Sequence, residues 1–268
     1  MSDLTRSLHY YETILGLQVL RRSAGGAVLA AQASDLALVA LHEAPGARGG
    51  RRRGQLGLYH YAILLPDGSV LGRFVDHLRL QKVPAGTADH AVSESVYLSD
   101  PDGLGIEVYS DRPRSQWRYK GAELQMSTET LDVPGVVAAG GGEPWTGMPT
   151  GTIIGHLHLS VGSLELAAAF YHMALGFDQT VWSYPGALFL SAGGYHHHLA
   201  VNAWSADARE PQEADARLLE WELIVPEEGE VEQAAESLRS AGYDVRSVGG
   251  ECVATDPWGT ALRLRPAG

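Results

Sequence analysis

Cysteine is almost absent: Cys252 stands alone among 268 residues. One thiol cannot build an internal disulfide framework, and the composition fits a reducing compartment. No apolar run approaches the ~18 residues of a membrane span, and MSDLTRSLHYY at the N-terminus lacks the apolar core of a signal peptide. The expected location is cytoplasmic, with no membrane partner. Basic residues are few: 20 Lys and Arg face 32 Asp and Glu, a net charge of −12. That field disfavours nucleic acid and anionic lipid as partners. It does not bear on a small, neutral aromatic molecule. The one basic cluster, Arg51–Arg53 in GARGGRRRG, is flanked by glycine and reads as a solvated linker. Also missing are a Gly-rich phosphate loop, a convincing Ser-His-Asp order and a nucleophile motif around Cys252, which reads as a small buried apolar residue.

Glycine, in contrast, is abundant at 32 residues, which suits tight turns between short strands. Apolar residues at 45% and charged residues at 19% are ordinary for a globular chain, long enough here for one large domain or two smaller ones. The chain also repeats itself. SDLTRSLHYYETILGL (2–17) lies on GSLELAAAFYHMALGF (162–177) without gaps. Leu4, Tyr11, Leu15 and Gly16 match Leu164, Tyr171, Leu175 and Gly176. Each phrase predicts an amphipathic helix stopped by glycine, with N-caps at Ser2–Asp3 and Gly162–Ser163. SDPDGLGIEVY (99–109) matches TDPWGTALRLR (255–265), an Asp-Pro-x-Gly turn entering a strand. VLGRFVDHLRLQKV (70–83) and VEQAAESLRSAGY (231–243) predict a second pair of helices. Strands are predicted over 58–65, 91–98, 105–109, 152–161 and 217–225. The expected fold is α+β: four βαβββ units in two paired domains, 1–115 and 151–268. A connector rich in Gly, Pro and Thr covers 116–150.

This architecture resembles the vicinal oxygen chelate superfamily, which includes glyoxalases, bleomycin resistance proteins and extradiol dioxygenases. The chain is most similar to bacterial two-domain ring-cleaving enzymes of the catechol-2,3-dioxygenase kind. SDLTRSLHYYETILGL, GLYHYAILLP, DHAVSESVYLSDPDGLGIEVYSDRPRSQW, IIGHLHLSV and SAGGYHHHLAVNAW carry the resemblance across nearly the whole chain. It implies a non-haem Fe(II) held by two His and one carboxylate. Three positions stay open, two for a catechol and one for O2. Mn(II) is an alternative, because imidazole and carboxylate do not separate these metals sharply. The resemblance puts His60 and Glu107 at metal-ligand positions. Tyr97, ten residues before Glu107, and His90 become catalytic groups that hydrogen-bond the bound catecholate. His42, in LVALHEAP, falls where the family has an acid/base histidine, and imidazole exchanges protons near neutral pH. Without the resemblance, the same residues read as a strand histidine, a polar strand face, a packing tyrosine, a loop-tip histidine and a surface histidine.

One part of the pattern is missing. The remaining ligand should be a His five residues before the position of Met1, as His60 stands five before Leu65 and His156 five before Val161. Unit one thus lacks its first strand, and a translation start further upstream is expected. A unit left short would expose a sheet edge that favours pairing with a second copy, a homo-oligomer. In the second half, Glu220 and Arg263 stand where unit two has His60 and Glu107. A guanidinium there repels a metal cation. A second site from His156, Glu220 and His198 is one alternative. The other is that these histidines, with the rest of the run His196–His198, bond and pack.

The expected function is an Fe(II)-dependent extradiol dioxygenase acting on a catechol-like ring and O2. One alternative is a non-catalytic protein that sequesters a small aromatic, with Trp117, Trp145, Trp182 and Trp204 available to line a cleft. Another is a glyoxalase-like metalloenzyme, whose sites carry more carboxylates. Metal content separates the first reading from the second, and O2 uptake with catechol separates it from the third.

Overall fold

The structure, a computed structural model, describes residues 1–49 and 54–267, so the Arg51–Arg53 run lies outside the described residues. Its first element is a helix, α1 (Leu4–Tyr10), begun by Asp3, whose carboxylate accepts from the Arg6 amide at 2.9 Å. The helix widens into a π turn over Tyr11–Leu15 and stops at Gly16, whose φ of 79° suits glycine. Strands β1 (Gln18–Ser23), β2 (Gly26–Ala30) and β3 (Ala37–His42) then form an antiparallel sheet in that order.

The next unit holds β4 (Gly57–Leu64), α2 (Gly68–Leu80), β5 (Gly86–Asp89), β6 (Ser93–Ser99) and β7 (Gly105–Asp111). Strand β4 runs parallel to β7, and β6 is antiparallel to both β7 and β5. Asp67 caps α2 by accepting from the Ser69 and Val70 amides, and Val70, Leu71, Phe74, Val75 and Leu78 form its buried stripe. The connector contains two short strands, β8 (Tyr119–Lys120) and β9 (Glu123–Leu124), and a helix, α3 (Val133–Ala139). Helices α2 and α3 meet at glycines. A Cβ on Gly72 would run into the Val136 carbonyl and stand 2.7 Å from the Gly140 nitrogen.

The third unit has β10 (Ile153–Ser160), α4 (Leu164–Ala167) continued by a π segment over Ala168–Ala174, β11 (Asp178–Val181), β12 (Ala187–Ser191) and β13 (Leu199–Asn202). The fourth has β14 (Glu220–Val225), α5 (Glu228–Ser240), β15 (Val245–Val248), β16 (Glu251–Thr255) and β17 (Ala261–Pro266). The chain divides into two compact bodies. One comprises Met1–Arg52, His60–Leu157 and Glu213–Ala216, and the other Arg53–Tyr59, His158–Gln212 and Arg217–Gly268. In the first body, the strand order is β1-β2-β3 in one sheet and β10-β4-β7-β6-β5 in the other. In the second, the orders are β11-β12-β13-β10 and β14-β17-β16-β15. The α+β class and the recurring units agree with the sequence.

The repeated phrases make the same bond in both copies. Tyr11 and Tyr171, both buried, present their hydroxyls to Asp100 (3.5 Å) and Asp256 (2.8 Å). The other oxygen of each aspartate holds its own turn. Asp100 accepts from the Asp102 and Leu104 amides (2.9 and 2.8 Å), Asp256 from the Trp258 and Thr260 amides (3.0 and 2.7 Å). Burial is the main cause that lifts both carboxyls above the usual range, Asp100 to about 6.

Candidate metal centre

Glu107 lies in the middle of β7, opposite Ala62 of β4 and Tyr97 of β6. Side chains alternate along a strand, so His60 shares a face with Ala62, and Ser95 with Tyr97. That register gathers His60, Ser95, Tyr97 and Glu107 on one side of the sheet. Next to β4 runs β10, which supplies His156.

His60 Nε2 lies 2.9 Å from Glu107 Oε2, and His156 Nε2 lies 3.2 Å from the same oxygen. All three residues are buried, and their three donor atoms lie within 4.8 Å of one another. Burial by itself would raise the Glu107 pKa. The adjacent His156 and His60 outweigh it and hold the carboxyl well below its usual range. Two imidazole nitrogens and one carboxylate oxygen are the donor set of non-haem Fe(II) sites. Edges of 2.9 and 3.2 Å suit ligands bound at right angles with bonds of roughly 2.1 Å. By donor chemistry and spacing, these residues fit a divalent transition metal.

Neighbouring side chains fix the donors. Ser95 Oγ, fully buried, donates to Glu107 Oε1 at 2.6 Å. The Tyr109 ring packs on His156 with centroids 4.8 Å apart. Gly155 leaves room for that ring, since a Cβ there would collide with Tyr109 Oη and lie 2.9 Å from its Cζ.

Tyr97 stands beside His60, with ring centroids 5.6 Å apart. Its hydroxyl is 2.6 Å from His90 Nε2. His90 Nδ1 lies 2.7 Å from the Ser127 carbonyl, which can only accept, so the proton sits on Nδ1. Nε2 therefore accepts from Tyr97. A bridge between Asp89 and Glu129 (3.0 and 2.9 Å) pins the segment that carries Ser127. Part of the connector thus orients His90.

Of the residues singled out in the sequence, the structure brings together His60, Glu107, Tyr97 and His90. It does not bring His42 to them: His42 is exposed at the end of β3, in the three-stranded sheet. The third donor expected ahead of Met1 would lie outside this sequence. Within the sequence, the structure gathers His156 with His60 and Glu107, because β10 takes the place next to β4. The alternative site with Glu220 and His198 loses its members to other partners. Arg263 binds both oxygens of Glu220 (2.7 and 3.0 Å) and reaches Glu251 at 2.9 Å. His198 Nδ1 accepts from the Ala192 amide at 3.3 Å, and His196 and His197 face each other through Nδ1 atoms 2.7 Å apart. Trp117 and Trp145 pack within the first body, while Trp182 and Trp204 in the second are about half exposed. Ser95, Tyr109 and Gly155 were not singled out by the sequence. For Ser95 and Tyr109 the available signal was spacing, since each lies two residues from Tyr97 or Glu107 on a predicted strand.

The chain belongs to the glyoxalase/bleomycin resistance protein/dioxygenase superfamily, whose model matches residues 1–108 and 153–264. Within it, the chain is 42% identical over 259 residues to catechol-2,3-dioxygenase of Bacillus subtilis, covering 95% of this chain and 90% of that one. Kinship of that depth makes it an enzyme of the dioxygenase kind. The fold is shared with a solved Bacillus subtilis protein provisionally assigned as a dioxygenase. That match has a TM-score of 0.66 and 14% identity, and covers 99% of this chain and 82% of that one. It is also shared with glyoxalase I from Zea mays, with a TM-score of 0.57 and 16% identity over 98% of this chain and 88% of that one. Among the described residues, no helix is long and apolar enough to cross a membrane.

Proposed function

We propose that this chain is an Fe(II)-dependent extradiol dioxygenase that opens a catechol-like ring with O2. The observation that supports it best is one buried cluster, His60, Glu107 and His156, with the Tyr97–His90 pair alongside. The catechol-2,3-dioxygenase relative points the same way. Mn(II) suits the same donors.

Held by these three residues, Fe(II) would supply a Lewis acid for the catechol and a path for electrons to O2. The protein does the rest. Glu107 provides the negative charge that offsets the cation, and Ser95 and the two imidazoles hold it in place. Tyr97 accepts a proton from an approaching catechol hydroxyl as it passes its own to His90 Nε2. His90 then carries a proton on each ring nitrogen, with Nδ1 donating to the Ser127 carbonyl as before. The same pair returns the proton to the opened product. Burial of the donors limits competition from water.

The test is anaerobic loading with Fe(II), then metal analysis and O2 uptake with catechol. The expected result is about one iron per chain and one O2 consumed per catechol. A chain that loads iron yet consumes no O2 with catechols would refute the dioxygenase reading, and a chain that takes up no metal would refute the centre itself.

A further inference from the structure

We infer that Ser95 sets how many positions the metal centre leaves open, by restricting Glu107 to a single donor oxygen. This rests on the Fe(II) reading above. Ser95 Oγ donates to Glu107 Oε1 at 2.6 Å, and Ser95 is fully buried. The other oxygen, Oε2, faces His60 Nε2 at 2.9 Å and His156 Nε2 at 3.2 Å. The carboxylate is thus divided: one oxygen is committed to the protein and one to the donor cluster. A short hydrogen bond to a carboxylate is charge-assisted, and a buried one has no water to replace it.

Carboxylates bind cations through one oxygen or through both. With Oε1 engaged by Ser95, the protein fills three positions of an octahedral ion and leaves three. A chelating catechol takes two and O2 the third. With both oxygens of Glu107 bound, only two positions remain, and a chelating catechol fills them. Ser95 is a positioning residue that acts through Glu107. Its effect falls on the seat for a diatomic molecule, not on retention of the metal. The backbone supports this role. Ser95 is paired with Tyr109 across β6 and β7, so the hydroxyl approaches Glu107 from a fixed strand.

The test compares the full chain with Ser95→Ala and Ser95→Thr, each loaded anaerobically with Fe(II). Nitric oxide is the diatomic probe, followed by its paramagnetic resonance signal with and without catechol. In Ser95→Ala, iron content stays near that of the parent. Nitric oxide affinity without catechol is unchanged, whereas with catechol it falls by about tenfold or more. Ser95→Thr keeps the hydroxyl and restores it. In turnover, the KM for O2 rises and the KM for catechol holds. Unchanged nitric oxide affinity in the catechol-loaded Ser95→Ala protein overturns the inference, as does outright loss of iron. Should Ser95→Ala fail to fold, as judged by circular dichroism, Ser95→Cys offers a near-isosteric, weaker donor. An intermediate loss supports the inference and parental affinity overturns it. If the parent itself binds no iron, the function reading fails and this inference falls with it. If the parent binds iron, catechol and nitric oxide, only the inference is at stake.

Discussion

Replacing Gly155 with alanine adds one methyl group at a point where the metal centre cannot yield. The new Cβ would collide with Tyr109 Oη and sit 2.9 Å from Tyr109 Cζ and 3.0 Å from Leu64 Cβ. Leu64 belongs to β4, so its Cβ moves only with that strand. Tyr109 is fully buried on β7 and lies against the His156 ring. The clash is therefore relieved by driving Tyr109 into His156 or by spreading β10 from its neighbour. Overpacking of this kind costs about 1–3 kcal/mol, and the upper end is expected because two strands frame the site. That corresponds to a fall of roughly 6–12 °C in the melting temperature of a body this size. Fe(II) affinity should drop by about 10–100-fold as His156 is displaced. Adding Tyr109→Phe removes the atom that clashes first, so that change should be worth more in the Gly155→Ala background than in the parent. Thermal melts and iron titrations of the four proteins form the cycle. If Gly155→Ala melts and binds iron like the parent, or if the two changes simply add, the packing argument is wrong.

Three further outcomes are expected. His156→Ala leaves two donors and should lower Fe(II) affinity by about a hundredfold or more, read by competition with a chelator; parental affinity would remove His156 from the centre. Tyr97→Phe should keep its iron but lower kcat by about a hundredfold or more, with His90→Gln no worse in combination than alone, because the pair acts as one relay. The folded Asp100 carboxyl, raised to about 6 from 3.8, holds its proton more tightly than the unfolded chain does. Asp100 therefore favours folding below about pH 4 and loses that contribution as the pH climbs through about 6, a change of about 3 kcal/mol. Denaturant titrations from pH 4 to 7 should show a shallower decline in Asp100→Asn, and identical slopes would discard the assignment.

How much of this was legible in the sequence depended on whether a feature lay within one unit. Glu107 and Tyr97 face each other across one hairpin, and His60 lies in the parallel strand beside it. The family resemblance singled them out; spacing and alternation alone read them as ordinary strand residues. His156 stood at the matching place in the repeat, yet which sheet its strand joins is decided by packing between units, which a repeat does not encode. Ser95 looked like any polar residue on an alternating strand until its partner was known. His42 had the expected spacing but ends a strand of a different sheet. The helical phrases were placed correctly. Their π segments at Tyr11–Leu15 and Ala168–Ala174 were not foreseen, because apolar steps of three and four residues do not separate an α turn from a wider one.

The fourth unit shows what becomes of the same scaffold when its charge pattern is inverted. Arg263 replaces the carboxylate and is gripped by Glu220 and Glu251, so a guanidinium covalently attached to the strand fills the role of a cation. It cannot be chelated, oxidised or exchanged. In the unit with Glu107 the fixed charge is the carboxylate, flanked by the imidazoles of His60 and His156, so under the Fe(II) reading the opposite charge there is an exchangeable ion. One chain therefore carries a permanent and a replaceable version of a single electrostatic device. Under the Fe(II) reading, removing the metal would strip the cation from the unit with Glu107 and leave the Arg263 ion pairs of the other intact.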